Sequence, residues 1–384
     1  MPLHADAAFD EAALAEFAGE MFSSLPRLDQ RRWAEAYLTG LVIVNGKKLV
    51  RRIAGDIVSP EAHQSIQQFI NRSPWEWEPV RASLALYVQT VRPPQAWVLS
   101  RVAIAKRGSS SVGVARRFVP EAGRMVNCQL ALTVSLADES ASLPVDWRIH
   151  LPSRWRSDYD LRHGAYIPDD VQGASETAEL LSMVEDMARR PGVAQVPVVA
   201  DVRQWSDAGA LLLGLADRNL EYVLEVDDWQ QVAGGPRPTD GAAVRHPVPS
   251  PSRVSGAADG PVPISSSIRR LPPGDGSRRP DGAPVRVLTE MRPGGLPRRT
   301  WVTNMYDRHV DKVLGHARLT AQGPAVTRHL GARFGLCDFQ GRSFRGWHHH
   351  VTMVSAAYVF HRLGWQRTPY LSTGRSPSPA DACP

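Results

Sequence analysis

Four basic clusters, a run of three histidines and one strand-terminal aspartate are the residues of this chain whose types and spacing could do chemistry. The basic residues gather in KRGSSSVGVARR (106–117), in Arg269-Arg270, in RPGGLPRR (292–299) and in GRSFRGW (341–347). One such cluster is an ordinary solvated face. Several in a chain of net charge +6 point to a polyanion, because guanidinium and ammonium groups bind phosphate. Lys47, Lys48, Arg51 and Arg52 form a further group that suits either phosphate contacts or an exposed loop. Arg342, Arg345 and Trp347 set two guanidinium groups and an aromatic ring at the start of a helix. That is a phosphate-contacting corner or an Arg–Trp stack that fixes the turn.

His348-His349-His350 invites a metal, yet consecutive helical positions point about 100° apart and cannot all face one ion. Cys128, Cys337 and Cys383 lie far apart with no C-x-x-C pair, as expected of isolated thiols. Asp201 ends the apolar run VPVVAD. A strand-terminal Asp either caps the following turn or offers its carboxylate to a cation. Asp138, Glu139 and Asp146 are expected to be solvated surface acids.

The elements that must position these residues follow from periodicity. Over about 9–92, apolar residues recur three and four apart (Phe9, Leu14, Phe17, Met21; Trp33, Tyr37, Leu38, Leu41), which predicts a helical N-terminal domain over 1–92, suited to DNA binding. Ser59-Pro60-Glu61 is a helix start. From 93 the texture changes to strands at 96–104, 128–136 and 143–151, then a helix at 175–190, a strand at 195–201, a helix at 206–219 and a strand at 221–226. That order predicts an α/β fold, a mixed sheet flanked by helices of the ribonuclease H-like kind, with its first part over 93–232. Residues 233–300, rich in Pro, Gly, Ser and Arg, are expected to be a mobile insertion. The core resumes over 301–367 with a strand at 300–305, a partly helical stretch over 309–333 and a helix at 347–363. Residues 368–384 are expected to be a disordered tail. With no apolar run of about 20 residues and an acidic, amphipathic N-terminal stretch unlike an export signal, no membrane partner and a cytoplasmic, nucleoid-associated location are expected.

Three strings carry a family resemblance. KRGSSSVGVARRFVPEAGRMVNCQ (106–129), RIHLPSRW (148–155) and GLCDFQGRSFRGWHHHVTMVSAAYVF (335–360) resemble, in the same order, segments of bacterial insertion-sequence transposases of the DDE superfamily. The resemblance spans about 10–365. It implies a ribonuclease H-like nuclease core, double-stranded DNA as partner, a homo-oligomer on paired DNA ends, and two Mg²⁺ or Mn²⁺ ions held by three carboxylates. Such ions activate a nucleophile and stabilise the leaving oxygen of an in-line displacement. By the same resemblance Lys106, Arg107, Arg116, Arg117, Arg342, Arg345, Trp347 and His348 face DNA.

The carboxylate positions depart from the family. Where it has Asp-Asp-Thr-Gly on the first strand, this chain has Ser100-Arg101-Val102-Ala103, and Arg101 is expected to put a positive charge at the metal position. Asp201 fits the second carboxylate and is the one retained metal ligand and catalytic residue. His329 stands where the late-helix Glu belongs, and Gly323-Pro324 should break or restart the helix before it. The resemblance therefore implies a degenerate, DNA-binding transposase-family protein, a pseudoenzyme. The alternatives are an active transposase with a rebuilt site, using Mg²⁺ or Mn²⁺, and an interaction protein without nucleic-acid function.

Overall fold

In the computed structural model, which describes residues 10–203, 205, 207–227, 244–246, 264–271, 283–292 and 297–365, the chain divides into two units. One comprises Met1–Pro93, His163–Ile167 and Arg328–Pro384, the other Pro94–Arg162 and Pro168–Thr327.

The first unit is helical. Asp10 accepts from the Ala13 N–H and starts α1 (Glu11–Met21). It is followed by α2 (Leu28–Ile43), α3 (Val50–Ile57), α4 (His63–Asn71) and α5 (Trp77–Val91). The periodic apolar residues Leu14, Phe17, Met21, Tyr37, Leu38 and Leu41 are buried as expected, whereas Phe9 lies outside the described residues. Pro60 begins a short 3₁₀ turn ahead of α4. The last helix, α12 (Phe344–Leu363), is capped by Ser343 and buried along its whole length from Gly346 to Phe360. It packs among α2, α4 and α5. Sequence reading assigned this helix to the sheet core; the structure places it at the centre of the helical unit. A helix apolar on every side must be buried, but that pattern does not name its neighbours.

The second unit is built on a ten-stranded sheet. Its strands are β1 (Ala96–Ala105), β2 (Ala115–Val119), β3 (Arg124–Ala137), β4 (Ser142–Ile149), β5 (Val198–Asp201), β6 (Tyr222–Val226), β7 (Val244–His246), β8 (Ile264–Leu271), β9 (Ala283–Met291) and β10 (Pro297–Thr303). Two short helices, α6 (Ser153–Ser157) and α7 (Tyr159–Gly164), follow β4. The longer helices are α8 (Glu176–Arg189), capped by Ser175, α9 (Ala208–Asp217) and α10 (Val310–Arg318). β3 pairs antiparallel with both β1 and β4, and β1, β5 and β6 run parallel. Those five strands, in the order β4-β3-β1-β5-β6, make the ribonuclease H-like mixed sheet expected from the sequence.

Beyond β6 the sheet continues antiparallel through β10, β9, β8 and β7. β7, β8 and β9 come from the stretch expected to be a mobile insertion, while β10 overlaps the strand expected at 300–305 and starts at Pro297. The difference has a physical cause: a strand added to an existing edge gains its hydrogen bonds from its neighbour and needs only a few buried side chains of its own. Here Ile264, Leu271, Val285, Val287 and Leu288 suffice. Gly323-Pro324 restarts a helix instead of breaking one. A 3₁₀ turn over Leu319–Gln322 follows α10, and α11 (Gly323–Arg333) then carries the proline in its first turn, where no amide hydrogen is needed.

Candidate functional site

Strand register assembles the expected metal corner. β1 and β5 pair Leu99 with Ala200, so Ser100 stands beside Asp201, and Asp201 is directly opposite Glu225 on β6. Neighbours in register share a sheet face, whereas successive residues alternate. Ser100, Asp201 and Glu225 therefore share one face, and Arg101 lies on the other. A Cβ on Gly323 would sit 3.3 Å from Ser100 Oγ, so the start of α11 closes over this face.

The two carboxylates of the corner are already neutralised. Arg203 donates from Nε to Asp201 Oδ1 at 2.9 Å and from a terminal nitrogen to Oδ2 at 2.7 Å. Arg299 does the same to both oxygens of Glu225, at 2.9 and 2.6 Å, and Arg203 Nε is 3.4 Å from Glu225. The hydrogen bond to Asp201 raises the Arg203 pKa above its ordinary value, and that to Glu225 raises Arg299's. Arg299 also lies over the Trp301 ring, 4.9 Å from its centroid. Glu225 is only 1% exposed, against 40% for Asp201.

Divalent cations of the Mg²⁺ type need several free oxygen ligands. This corner offers a serine hydroxyl and two carboxylates whose oxygens are all engaged by guanidinium groups, so the residues present do not fit a two-metal centre. Among the described residues no group of three or more His, Cys, Asp or Glu side chains is placed to hold a metal. Glu225 was not singled out from the sequence. Its signal was an acid inside the apolar strand EYVLEV, but its partner lies 74 residues further along the chain.

Arg101 is not in the corner, which corrects the expectation that its charge fills the metal position. It donates to Glu176 at 3.0 Å and lies over the Trp205 ring at 4.6 Å. Glu176, in the first turn of α8, also accepts from Arg117 at 3.0 Å. Burial raises the Glu176 pKa, but the Arg101 and Arg117 contacts outweigh it and hold this carboxyl below its usual value. Burial lowers the pKa of nearby His150, with Glu176 opposing. Asp146 also departs from expectation: it is buried and paired with Arg190 at 2.7 Å.

His329 belongs to the helical unit, where its ring packs against Phe334, Tyr358 and His361. Burial lowers its pKa, and Arg333 and Arg362 add to the shift.

The three consecutive histidines turn to three different sets of partners. His348 stacks on Trp77 at 4.5 Å, with Nδ1 3.2 Å from Arg81. His349 stacks on Trp75 at 3.7 Å between the carbonyls of Ile70 and Trp75. His350 meets the Tyr37 hydroxyl and the Gly335 carbonyl. Trp347 and His348 are 1% and 4% exposed, so neither reaches DNA. That corrects their assignment as nucleic-acid contacts: the periodicity marked a helix start, but the helix is central to its unit. Arg342 remains exposed and Arg345 half-buried.

Of the other expected contacts, Lys106 and Arg107 lie in the loop between β1 and β2, and Arg116 and Arg117 lie on β2. Arg117 is committed to Glu176, and Asn127 holds the preceding loop through the carbonyls of Lys106 and Gly108. Arg107, Arg116 and Arg124 are exposed, beside the exposed Phe118 and Met125, which are opposite each other in the β2–β3 register.

A family model described as DDE superfamily endonuclease matches residues 20–259. The match includes Ser100, Asp201 and Glu225 and stops short of Arg299 and His329. No curated protein matches the chain.

Proposed function

Because the chain belongs to the DDE superfamily endonuclease family, a transposase-like nuclease domain, we propose that it is a DNA-binding member that has exchanged metal-dependent strand cleavage for a closed ion-pair lattice. The observation that carries this reading is the bidentate Arg203–Asp201 pair beside Ser100. The one family carboxylate retained by position has both oxygens occupied, and its first-strand partner is a hydroxyl. A guanidinium in that place repels a divalent cation and cannot substitute for its Lewis acidity.

Binding itself is supported by the β2–β3 hairpin. The side chains of Arg107, in the loop before β2, and of Arg116 and Arg124 are exposed and have no hydrogen bond or ion pair among the described residues, and Phe118 adds a ring on the same face as Arg116. Phosphate contacts of this kind release counterions, so affinity falls linearly on a logarithmic salt scale. Retention of a labelled duplex is expected to be salt-sensitive. Substituting Arg107, Arg116 or Arg124 by Ala should weaken it for any sequence and lower the salt slope by about one per residue. Retention that is absent at low salt, or unchanged in the triple variant, would sink this assignment.

A further inference from the structure

Within the helical unit lies a cavity of about 580 Å³ that the metal corner and the hairpin do not involve. Its inner wall is a fixed hydrogen-bond network. His350 joins the Tyr37 hydroxyl (2.9 Å) to the Gly335 carbonyl (3.0 Å) and stacks on Phe339 at 5.2 Å. The Lys48 backbone N–H donates to Asp338 at 2.9 Å, and the Ser343 hydroxyl to the Asn71 carbonyl at 3.2 Å. The loop carrying these groups leaves no slack. A Cβ at Gly335 would come within 2.6 Å of Lys48, and one at Gly341 within 2.2 Å of Asn71.

Three arginines from separate elements line this cavity: Arg51 from α3, Arg72 from the end of α4, and Arg342 from the loop before α12. All three are exposed, and none of their side chains has a hydrogen bond or ion pair among the described residues. Asp338 is the single carboxylate in the lining. Lys48, which the sequence placed either on phosphate or in an exposed loop, is instead buried with its ammonium against the Val44 and Gly40 carbonyls at the end of α2. Tyr166 also lines the cavity, with φ +52 and two-thirds of its surface exposed. An aromatic residue in the left-handed region is costly and is found where the surroundings impose it.

We propose that this cavity takes one phosphate-bearing nucleotide of a DNA strand, with its phosphate on Arg51, Arg72 and Arg342 and its base against Tyr166. Guanidinium forks match phosphate oxygens pairwise, base stacking on an aromatic ring is sequence-tolerant, and the volume suits a small ligand held in a concave site. The site is concave and sized for a small ligand, not for the side of a duplex, so the nucleotide is an unpaired or terminal one. The proposal rests on the DNA-binding reading and adds a second, distinct site to it.

The test titrates the full chain with a 5′-phosphorylated thymidine dinucleotide, its unphosphorylated form and inorganic phosphate, alongside duplex retention. The phosphorylated dinucleotide should bind more tightly than either of the others. Arg51→Ala, Arg72→Ala and Arg342→Ala should each weaken it about tenfold, and Tyr166→Ala should remove its advantage over inorganic phosphate. Duplex retention through the hairpin should persist in all four variants. Equal binding of dinucleotide and inorganic phosphate, or affinities untouched by the arginine substitutions, would overturn the proposal. Dinucleotide binding without duplex retention supports the cavity and defeats the hairpin reading; duplex retention without dinucleotide binding does the reverse.

Discussion

Replacing Glu225 by Ala is expected to lower the stability of the sheet unit by about 3 kcal/mol, whereas Asp201→Ala should change it by less than about 1 kcal/mol. Glu225 is buried at the β6–β10 contact, and its removal leaves Arg299 without its acceptor and beside Arg203, which stays paired with Asp201. Arg299 is about one-third exposed and partly rehydrates, so the cost stays at the lower end for a broken buried pair. Asp201 and Arg203 are both more than one-third exposed, and water replaces most of what that pair contributes. A double variant, Glu225→Leu with Arg299→Met, should recover much of the loss, because an apolar pair needs no compensating charge. Denaturant midpoints of the three variants decide the point. In a centre built to await metal ions the order differs: adjacent carboxylates repel, and removing either one stabilises the fold. Equal effects at 201 and 225, or a neutral Glu225→Ala, would contradict the lattice.

Acidification should destabilise the helical unit by roughly 4 kcal/mol between pH 6.5 and pH 3, with His349 as the main source. Burial pushes this histidine down to about 3, against the Trp75 and Ile70 carbonyls, which favour its protonated ring. Above pH 6.5 the ring is neutral in both folded and unfolded chains, and its contribution is complete. As pH falls, the unfolded chain takes up a proton that the folded one refuses, so stability is lost progressively until the folded pKa is reached. His361, held at about 4 by burial and by Arg333, acts in the same direction over a narrower window. Urea midpoints measured across this range should slope steeply in the parent chain and less in His349→Gln. Stability that rises on acidification would mean that the two carbonyls hold an imidazolium, reversing the sign.

The parts of the fold legible in the sequence are those where local signals and tertiary packing agree. Ser175 ahead of Glu176 and Glu179 marks the start of α8 as sequence and structure both have it, and the apolar runs of β1, β5 and β6 mark the parallel strands. β2 was not legible because ARRFV alternates toward solvent on an edge, with only Val119 buried. β8 and β9 were hidden by Ser, Arg and Pro in their own segments, since their stability resides in the neighbouring strand, whereas β10 was legible from 300 onward in TWVTNM. At the site, the period of two along β1 already separates Ser100 from Arg101. Which of the two meets Asp201 depends on the register with β5, and no local pattern states that register. The histidine run was legible in one respect: three helical steps of about 100° give three directions. Its burial, with Trp347, was not, because the partners Trp75, Trp77 and Tyr37 come from the other end of the chain.

Ser100, Asp201 and Glu225 stand side by side on the sheet, and Arg203 and Arg299 neutralise the two carboxylates. On the proposed reading these two guanidinium groups take the place of the charge that metal ions would supply. The most direct measurement is strand cleavage. The purified chain is incubated with end-labelled duplex DNA and Mg²⁺ or Mn²⁺, and retention and nicking are scored on the same sample. Retention that weakens with salt is expected, with no nicking by either ion. Metal-dependent nicking that disappears in Asp201→Ala would contradict the loss of strand cleavage.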